Sequence, residues 1–161
     1  MSEIKKIVKD KDSVLVFDVD GVLAVMEFGE HNHYTSDDEE RYRANISWKN
    51  FYTKEKVSKK MQNFLSKKDI GRVYVITKAA SEQEFNHKKS FLRENYNIRD
   101  ENIYWVRKEL EKKEKLLEIK WFYEDLPDYK LVMIDDSVTI LCDVMDNTGF
   151  STMHISSFLD M

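Results

Sequence analysis

Val14-Leu15-Val16-Phe17-Asp18-Val19-Asp20-Gly21-Val22-Leu23 is the stretch whose reading decides the fold. Its first four residues are apolar and rich in β-branched types, which predicts a strand buried on both faces. That run stops abruptly at two carboxylates and a glycine. If extended geometry persists that far, alternation sends Asp18 and Asp20 to the same side, and two negative charges converge at the strand's carboxyl end. Such a pair attracts a hard cation. The plain alternative is a turn, because Asp and Gly are favoured turn formers. An EF-hand loop is set aside: it requires an oxygen ligand at Val22 and a glutamate at a fixed distance after the glycine, and neither is present.

The choice between turn and site depends on whether the rest of the chain supplies partners for a cation and an anion. At 161 residues, with 42% hydrophobic and 35% charged residues, the chain reads as one domain over 1–161, long enough for a core without disulfides or a structural metal. The net charge of -4 gives no general attraction for polyanions, so neither bulk nucleic-acid binding nor membrane binding is expected. Cys142 is the only cysteine, which excludes an intrachain disulfide and a cysteine zinc site. The start, Met1-Ser2-Glu3-Ile4-Lys5-Lys6, has no apolar signal core, and no apolar run approaches membrane-spanning length; a cytoplasmic location is the expectation.

Outward from the first strand, strand and helix signals alternate. Residues 24–50 read as a flap and a small polar insertion over the strand end, with an acidic cluster at Asp37-Asp38-Glu39-Glu40 and a short helix capped by Ser36. Val57, Met61, Phe64 and Leu65 recur at helical spacing and predict a helix over 54–67. Arg72-Val73-Tyr74-Val75-Ile76-Thr77 reads as a second buried strand that also ends on a polar side chain. Ser81 followed by Glu84 is a capping-box pattern opening a helix with Phe85 and Leu92 on one side. Ile103-Tyr104-Trp105-Val106 predicts a third strand, followed by a charged helix over 109–123 with Leu116, Leu117 and Trp121 inward.

After Pro127, Leu131-Val132-Met133-Ile134 is the second very apolar run, and it ends at Asp135-Asp136-Ser137. A helix through Val138, Leu141 and Val144, a turn at Gly149 and a short strand near 152–155 complete the pattern. The expected class is α/β: a Rossmann-like three-layer sandwich on a central parallel sheet. In such folds ligands bind at the carboxyl ends of the strands, near the switch in strand order. Asp18 with Asp20, Thr77, and Asp135 with Asp136 meet at one edge if their strands are neighbours.

These motifs resemble the haloacid dehalogenase-like superfamily of phosphatases, in its small-cap or capless form. The resemblance runs through Phe17-Asp18-Val19-Asp20-Gly21-Val22, the strand ending in Thr77, a lysine ahead of the last main strand, and Ile134-Asp135-Asp136-Ser137. It implies that Asp18 is the nucleophile that becomes an aspartyl phosphate, and that Asp20 is the general acid and base. It implies Mg²⁺ as cofactor, held by Asp18, the Asp20 backbone carbonyl and Asp136, with Asp135 ligating through water or holding the lysine. Thr77 would donate its hydroxyl to a phosphate oxygen, with backbone N–H groups around Gly21 and Lys78 completing the anion nest. In the family pattern the lysine is followed four residues later by a core leucine. Lys113 with Leu117 fits, as does Lys112 with Leu116; Lys108 and Lys115 lie in the same run, and Lys113 is the expected one.

The expected activity is Mg²⁺-dependent hydrolysis of a phosphomonoester, small or macromolecular, through that intermediate. The alternative is a phosphate-binding or regulatory module that kept the fold and lost turnover. A response-regulator receiver fails on order, because here a second acidic pair follows the lysine. His31 and His33 read as a loop pair in a polar insertion rather than a transition-metal site, Trp48, Phe51 and Tyr52 as core rather than a substrate recess, and Cys142 as inert packing.

Overall fold

A computed structural model describes residues 2–25 and 56–160. The strand β1, Val14–Phe17, is the middle of a five-stranded parallel sheet, and all four of its residues are buried. The other strands are β4, Val73–Lys78; β5, Ile103–Val106; β6, Leu131–Asp135; and β7, Ser151–His154. Their order across the sheet is β5-β4-β1-β6-β7, and every pairing is parallel. Only strands covered on both faces read as unbroken apolar runs, which is why Val14–Phe17 and Leu131–Ile134 take central places.

Alternation divides the core in two. Leu15, Phe17, Val75, Val132 and Ile134 pack on the side that carries helices α1, Glu3–Lys9, α2, Lys59–Leu65, and α3, Glu82–Tyr96. Val14, Val16, Tyr74, Ile76 and Met133 face α4, Lys112–Trp121, and α5, Val138–Thr148. The α/β three-layer class expected from the sequence is the one observed. Two short strands, β2, Ala24–Val25, and β3, Lys56–Val57, pair antiparallel apart from the main sheet. The expected flap and insertion beyond Val25, with Ser36, His31, His33, Trp48, Phe51 and Tyr52, lie outside the described residues.

Several boundaries differ from expectation. Over 56–65 the chain is a two-residue strand and then a helix, because the Ser58 hydroxyl accepts the Met61 N–H at 3.3 Å and starts the helix there. On α4, Leu116 is inward but Leu117 and Trp121 are not, with Trp121 78% exposed. The inward stripe is Lys112, Leu116 and Ile119, at helical spacings of four and three. Val138 and Cys142 are exposed, correcting their expected packing, while Ile140, Leu141 and Val144 face the sheet. Helix α1 has no counterpart in the sequence reading, although Ile4, Ile7 and Val8 mark its apolar side.

Candidate functional site

The sheet order brings the carboxyl ends of β4, β1 and β6 side by side, with the change in strand order at β1 and β6. The Asp18 N–H donates to the Ile134 carbonyl at 3.0 Å, so the pairing of β1 with β6 continues one residue past β1 and carries Asp18 to Asp135. Beyond it the chain turns tightly. The N–H groups of Leu23 and Ala24 both donate to the Val19 carbonyl, at 2.9 and 2.8 Å, and Gly21 N–H donates to Ala24 at 3.0 Å. Gly21 has φ +75°, and a Cβ there would lie 2.3 Å from Asp136 Oδ2. Glycine is therefore required twice, by the backbone and by the close approach of a carboxylate. Its own N–H is committed to the Ala24 carbonyl, so any anion nest here would draw on the neighbouring N–H groups.

Asp18, Asp135 and Asp136 each offer a carboxylate oxygen, and these atoms lie within 4.8 Å of one another. Oxygen ligands about 2.1 Å from a Mg²⁺-sized ion stand roughly 3 Å apart when adjacent and about 4.2 Å when opposite. Three carboxylates this close together could hold one metal ion. The Asp20 side chain, whose backbone carbonyl was the expected ligand, turns its carboxylate to Lys88 Nζ at 2.6 Å. Asp135 is buried and anchored on both oxygens, with Oδ2 accepting from Lys112 at 2.9 Å and Oδ1 from Ser137 N–H at 2.9 Å. Asp136 is exposed, and its backbone carbonyl meets His154 Nε2 at 2.9 Å.

Charge at this edge is unbalanced. Burial pushes the Asp18 carboxyl up to about 7; Asp135 and Asp20 push the same way, against the attraction of Lys112. Burial and the neighbouring Asp135 also raise Asp136. Burial opposes the charge on Lys112, but Asp18, Asp135 and Glu109 outweigh it and hold the ammonium firmly protonated. The two directions agree physically: one ammonium serves several carboxylates, so it gains from each while they remain short of positive charge.

The lysine that reaches the site is Lys112, correcting the expectation of Lys113. Lys112 Nζ is 3.0 Å from Asp18 Oδ1, 2.9 Å from Asp135 Oδ2 and 2.8 Å from Glu109 Oε2. Lys113, one residue on and rotated about 100° around the helix, pairs instead with Asp143 on α5 at 3.1 Å. Thr77 is fully buried at the end of β4, and its hydroxyl meets Lys88 Nζ at 3.2 Å and the Lys78 carbonyl at 3.3 Å. The Lys78 side chain is exposed.

The sequence reading missed Lys88 and gave Glu84 only a capping role; both are buried on α3. Glu84 takes the place expected of a capping residue, accepting the Ala80 N–H at 2.8 Å, while the Ser81 hydroxyl accepts the Glu84 N–H at 3.2 Å. Its other oxygen is 3.1 Å from Lys88 Nζ. The signal was present: Glu84 and Lys88 share a helix face with Phe91 and Leu92, where solvated charges would not stand.

No helix among the described residues is long and apolar enough to cross a membrane. No protein-family model matches the sequence, and neither does any curated protein. Among solved structures, the fold is similar to the HAD domain of the effector protein Lem4 from Legionella pneumophila, at 16% identity and TM-score 0.47, covering 92% of each chain. It is also similar to an uncharacterized protein from Corynebacterium glutamicum, at 16% identity and TM-score 0.44, covering 87% of this chain and 82% of that one.

Proposed function

We propose that the chain is a Mg²⁺-dependent phosphomonoester hydrolase that works through an aspartyl phosphate on Asp18. The observation that carries this reading is the meeting of Asp18, Asp135 and Asp136, with the Lys112 ammonium on Asp18, Thr77 at the end of the adjoining strand β4 and Asp20 in the turn after β1. Asp18 and Asp136 would hold Mg²⁺ directly. The ion would offset the repulsion between a carboxylate nucleophile and a phosphate dianion. Asp135, anchored by Lys112 and Ser137, keeps that ammonium in register with Asp18.

An Asp18 oxygen attacks phosphorus, and the bond from phosphorus to the ester oxygen breaks. Asp20 gives its proton to the departing oxygen, then takes one from the water that cleaves the acyl phosphate, releasing inorganic phosphate and restoring both aspartates. Thr77 and Lys112 bind the phosphoryl oxygens. The purified protein is expected to hydrolyse p-nitrophenyl phosphate or acetyl phosphate with Mg²⁺ and to stop with EDTA. Asp20→Asn is expected to form acid-stable, hydroxylamine-labile phosphoprotein that turns over slowly. Absence of any Mg²⁺-dependent release from the wild type would defeat the reading.

Gly21→Ala tests the cation cradle separately. The new methyl group would clash with Asp136 Oδ2, 2.3 Å away, and strain a positive φ. Displacing a ligand in this way is expected to raise the Mg²⁺ concentration for half-maximal activity by about 10-fold or more. A magnesium titration reads it directly, and an unchanged midpoint would remove Asp136 from the ion's shell.

A further inference from the structure

Lys88 is among the largest fully buried side chains of the protein, 1% exposed, and the scheme above gives it no task. Its ammonium meets Asp20 Oδ2 at 2.6 Å, Glu84 Oε1 at 3.1 Å and Thr77 Oγ1 at 3.2 Å, and it donates to the Lys78 carbonyl as well. An ammonium has three N–H groups and no acceptor. With four acceptors around it, Lys88 is held from several sides, and a buried charge in that state has little freedom to move. Glu84 is pinned in turn by the Ala80 N–H, and Trp105 Nε1 on β5 donates to the Ala79 carbonyl at 2.8 Å, so the turn after β4 is fastened from two elements.

We infer that Lys88 is a positioning residue that ties Asp20 and Thr77 together from inside the protein, aiming a carboxylate at the leaving oxygen and a hydroxyl at the phosphoryl group. The inference rests on the phosphatase reading and adds to it a residue from α3. The reasoning for Thr77 is one of donors. Because Lys88 can only donate, the lone pair of Thr77 that it occupies leaves the hydroxyl proton to point elsewhere. In this structure that proton is directed at the Lys78 carbonyl across a long 3.3 Å, an acceptor that Lys88 already serves. A phosphoryl oxygen at the site would be the stronger acceptor. For Asp20 the point is orientation. Its side chain is 47% exposed, and the 2.6 Å contact with a buried, immobile ammonium favours one rotamer over the solvent-facing ones.

The test uses the leaving group. p-Nitrophenolate departs without a proton, whereas an alkoxide such as that from β-glycerophosphate needs one in the transition state. Proton donation of this kind contributes roughly 10²- to 10⁴-fold. In Lys88→Met, kcat/KM for β-glycerophosphate is expected to fall by about 10²-fold, and that for p-nitrophenyl phosphate by less than about 10-fold. Asp20→Asn should show the same ratio, and the double variant should add little to it, because the two residues act as a unit. Methionine leaves Glu84 buried without its cation, so Glu84→Gln/Lys88→Met is made in parallel to keep the fold, with circular dichroism as the check. Equal losses on the two substrates, or additive effects of Lys88→Met and Asp20→Asn, would overturn the inference while leaving the phosphatase reading standing. A wild type inactive on both substrates would overturn both together.

Discussion

Asp18→Asn is expected to abolish phosphomonoesterase turnover, by roughly 10³-fold or more, and at the same time to make the metal-free protein more stable at pH 8. Both effects come from one fact: a carboxylate is buried among carboxylates. As nucleophile, Asp18 supplies the oxygen that takes the phosphoryl group, and an amide cannot replace it. As a buried group, it carries a pKa raised from the ordinary carboxylate range to about 7, first by burial and then by Asp135 and Asp20, with Lys112 opposing. A raised pKa means that the folded state binds the proton more tightly than the unfolded state does. Asp18 therefore favours folding when it is protonated, and that advantage is lost as pH rises from about 4 towards and through about 7. Asparagine has no proton to lose. The stability gain of Asp18→Asn, on the order of 1 kcal/mol after Lys112 gives up one partner, should appear at pH 8 and shrink at pH 5. Urea midpoints in EDTA at the two pH values measure it. Added Mg²⁺ should stabilise the wild type far more than the variant, because only the wild type keeps the full set of ligands. A variant that is less stable than the wild type at pH 8 would show that Lys112 wholly compensates the buried charge.

The architecture was legible because two strands declare themselves by composition. Val14–Phe17 and Leu131–Ile134 are apolar at every position, and such runs belong to strands covered on both faces. Once those were placed in the interior of the sheet, the carboxylates that end them had to lie at one edge, and Thr77 followed from its own strand. What was not legible was set by short elements and by helix phase. Helix α1 is only seven residues long, too short for an isolated periodic signal to stand out from its lysines. The helix expected over 54–67 is present as α2, but Lys56–Val57 ahead of it pair with β2, and a two-residue strand has no sequence pattern of its own.

Phase also decided the site lysine. Lys112 with Leu116 and Lys113 with Leu117 are equivalent if two positions are compared. A third position separates them: three residues on, the first stripe meets Ile119 and the second meets Lys120. Lys88 was hidden by a different bias, since a lysine in a charged helix is ordinarily solvated. Its neighbours on the face, Phe91 and Leu92, were the sign that it is not.

Lys112→Met is the substitution expected to cost the most stability, because it removes the one ammonium that touches Asp18, Asp135 and Glu109 together. Breaking a buried ion pair from one side leaves the partner's charge desolvated and unanswered, a loss of about 3–5 kcal/mol. Here two of the carboxylates left behind, Asp18 and Asp135, are themselves buried. Lys113→Ala, by contrast, removes a half-exposed pair with Asp143 and should change stability by no more than about 1 kcal/mol. Denaturant unfolding of the two variants side by side distinguishes the neighbours, and equal losses would mean that the helix phase seen here is wrong. The metal dependence carries the argument further. In the wild type the cluster is partly neutralised by Lys112, so a divalent cation meets carboxylates that already share one positive charge. In Lys112→Met the same cation takes over the neutralising of Asp18 and Asp135 that Lys112 provided, and binding relieves more repulsion. The stabilisation by saturating Mg²⁺ should therefore be larger in Lys112→Met than in the wild type, even though turnover is lost with the phosphoryl-binding ammonium. A smaller stabilisation would show that Lys112 builds the cation site by holding Asp135 in place, rather than competing with the ion for its charge.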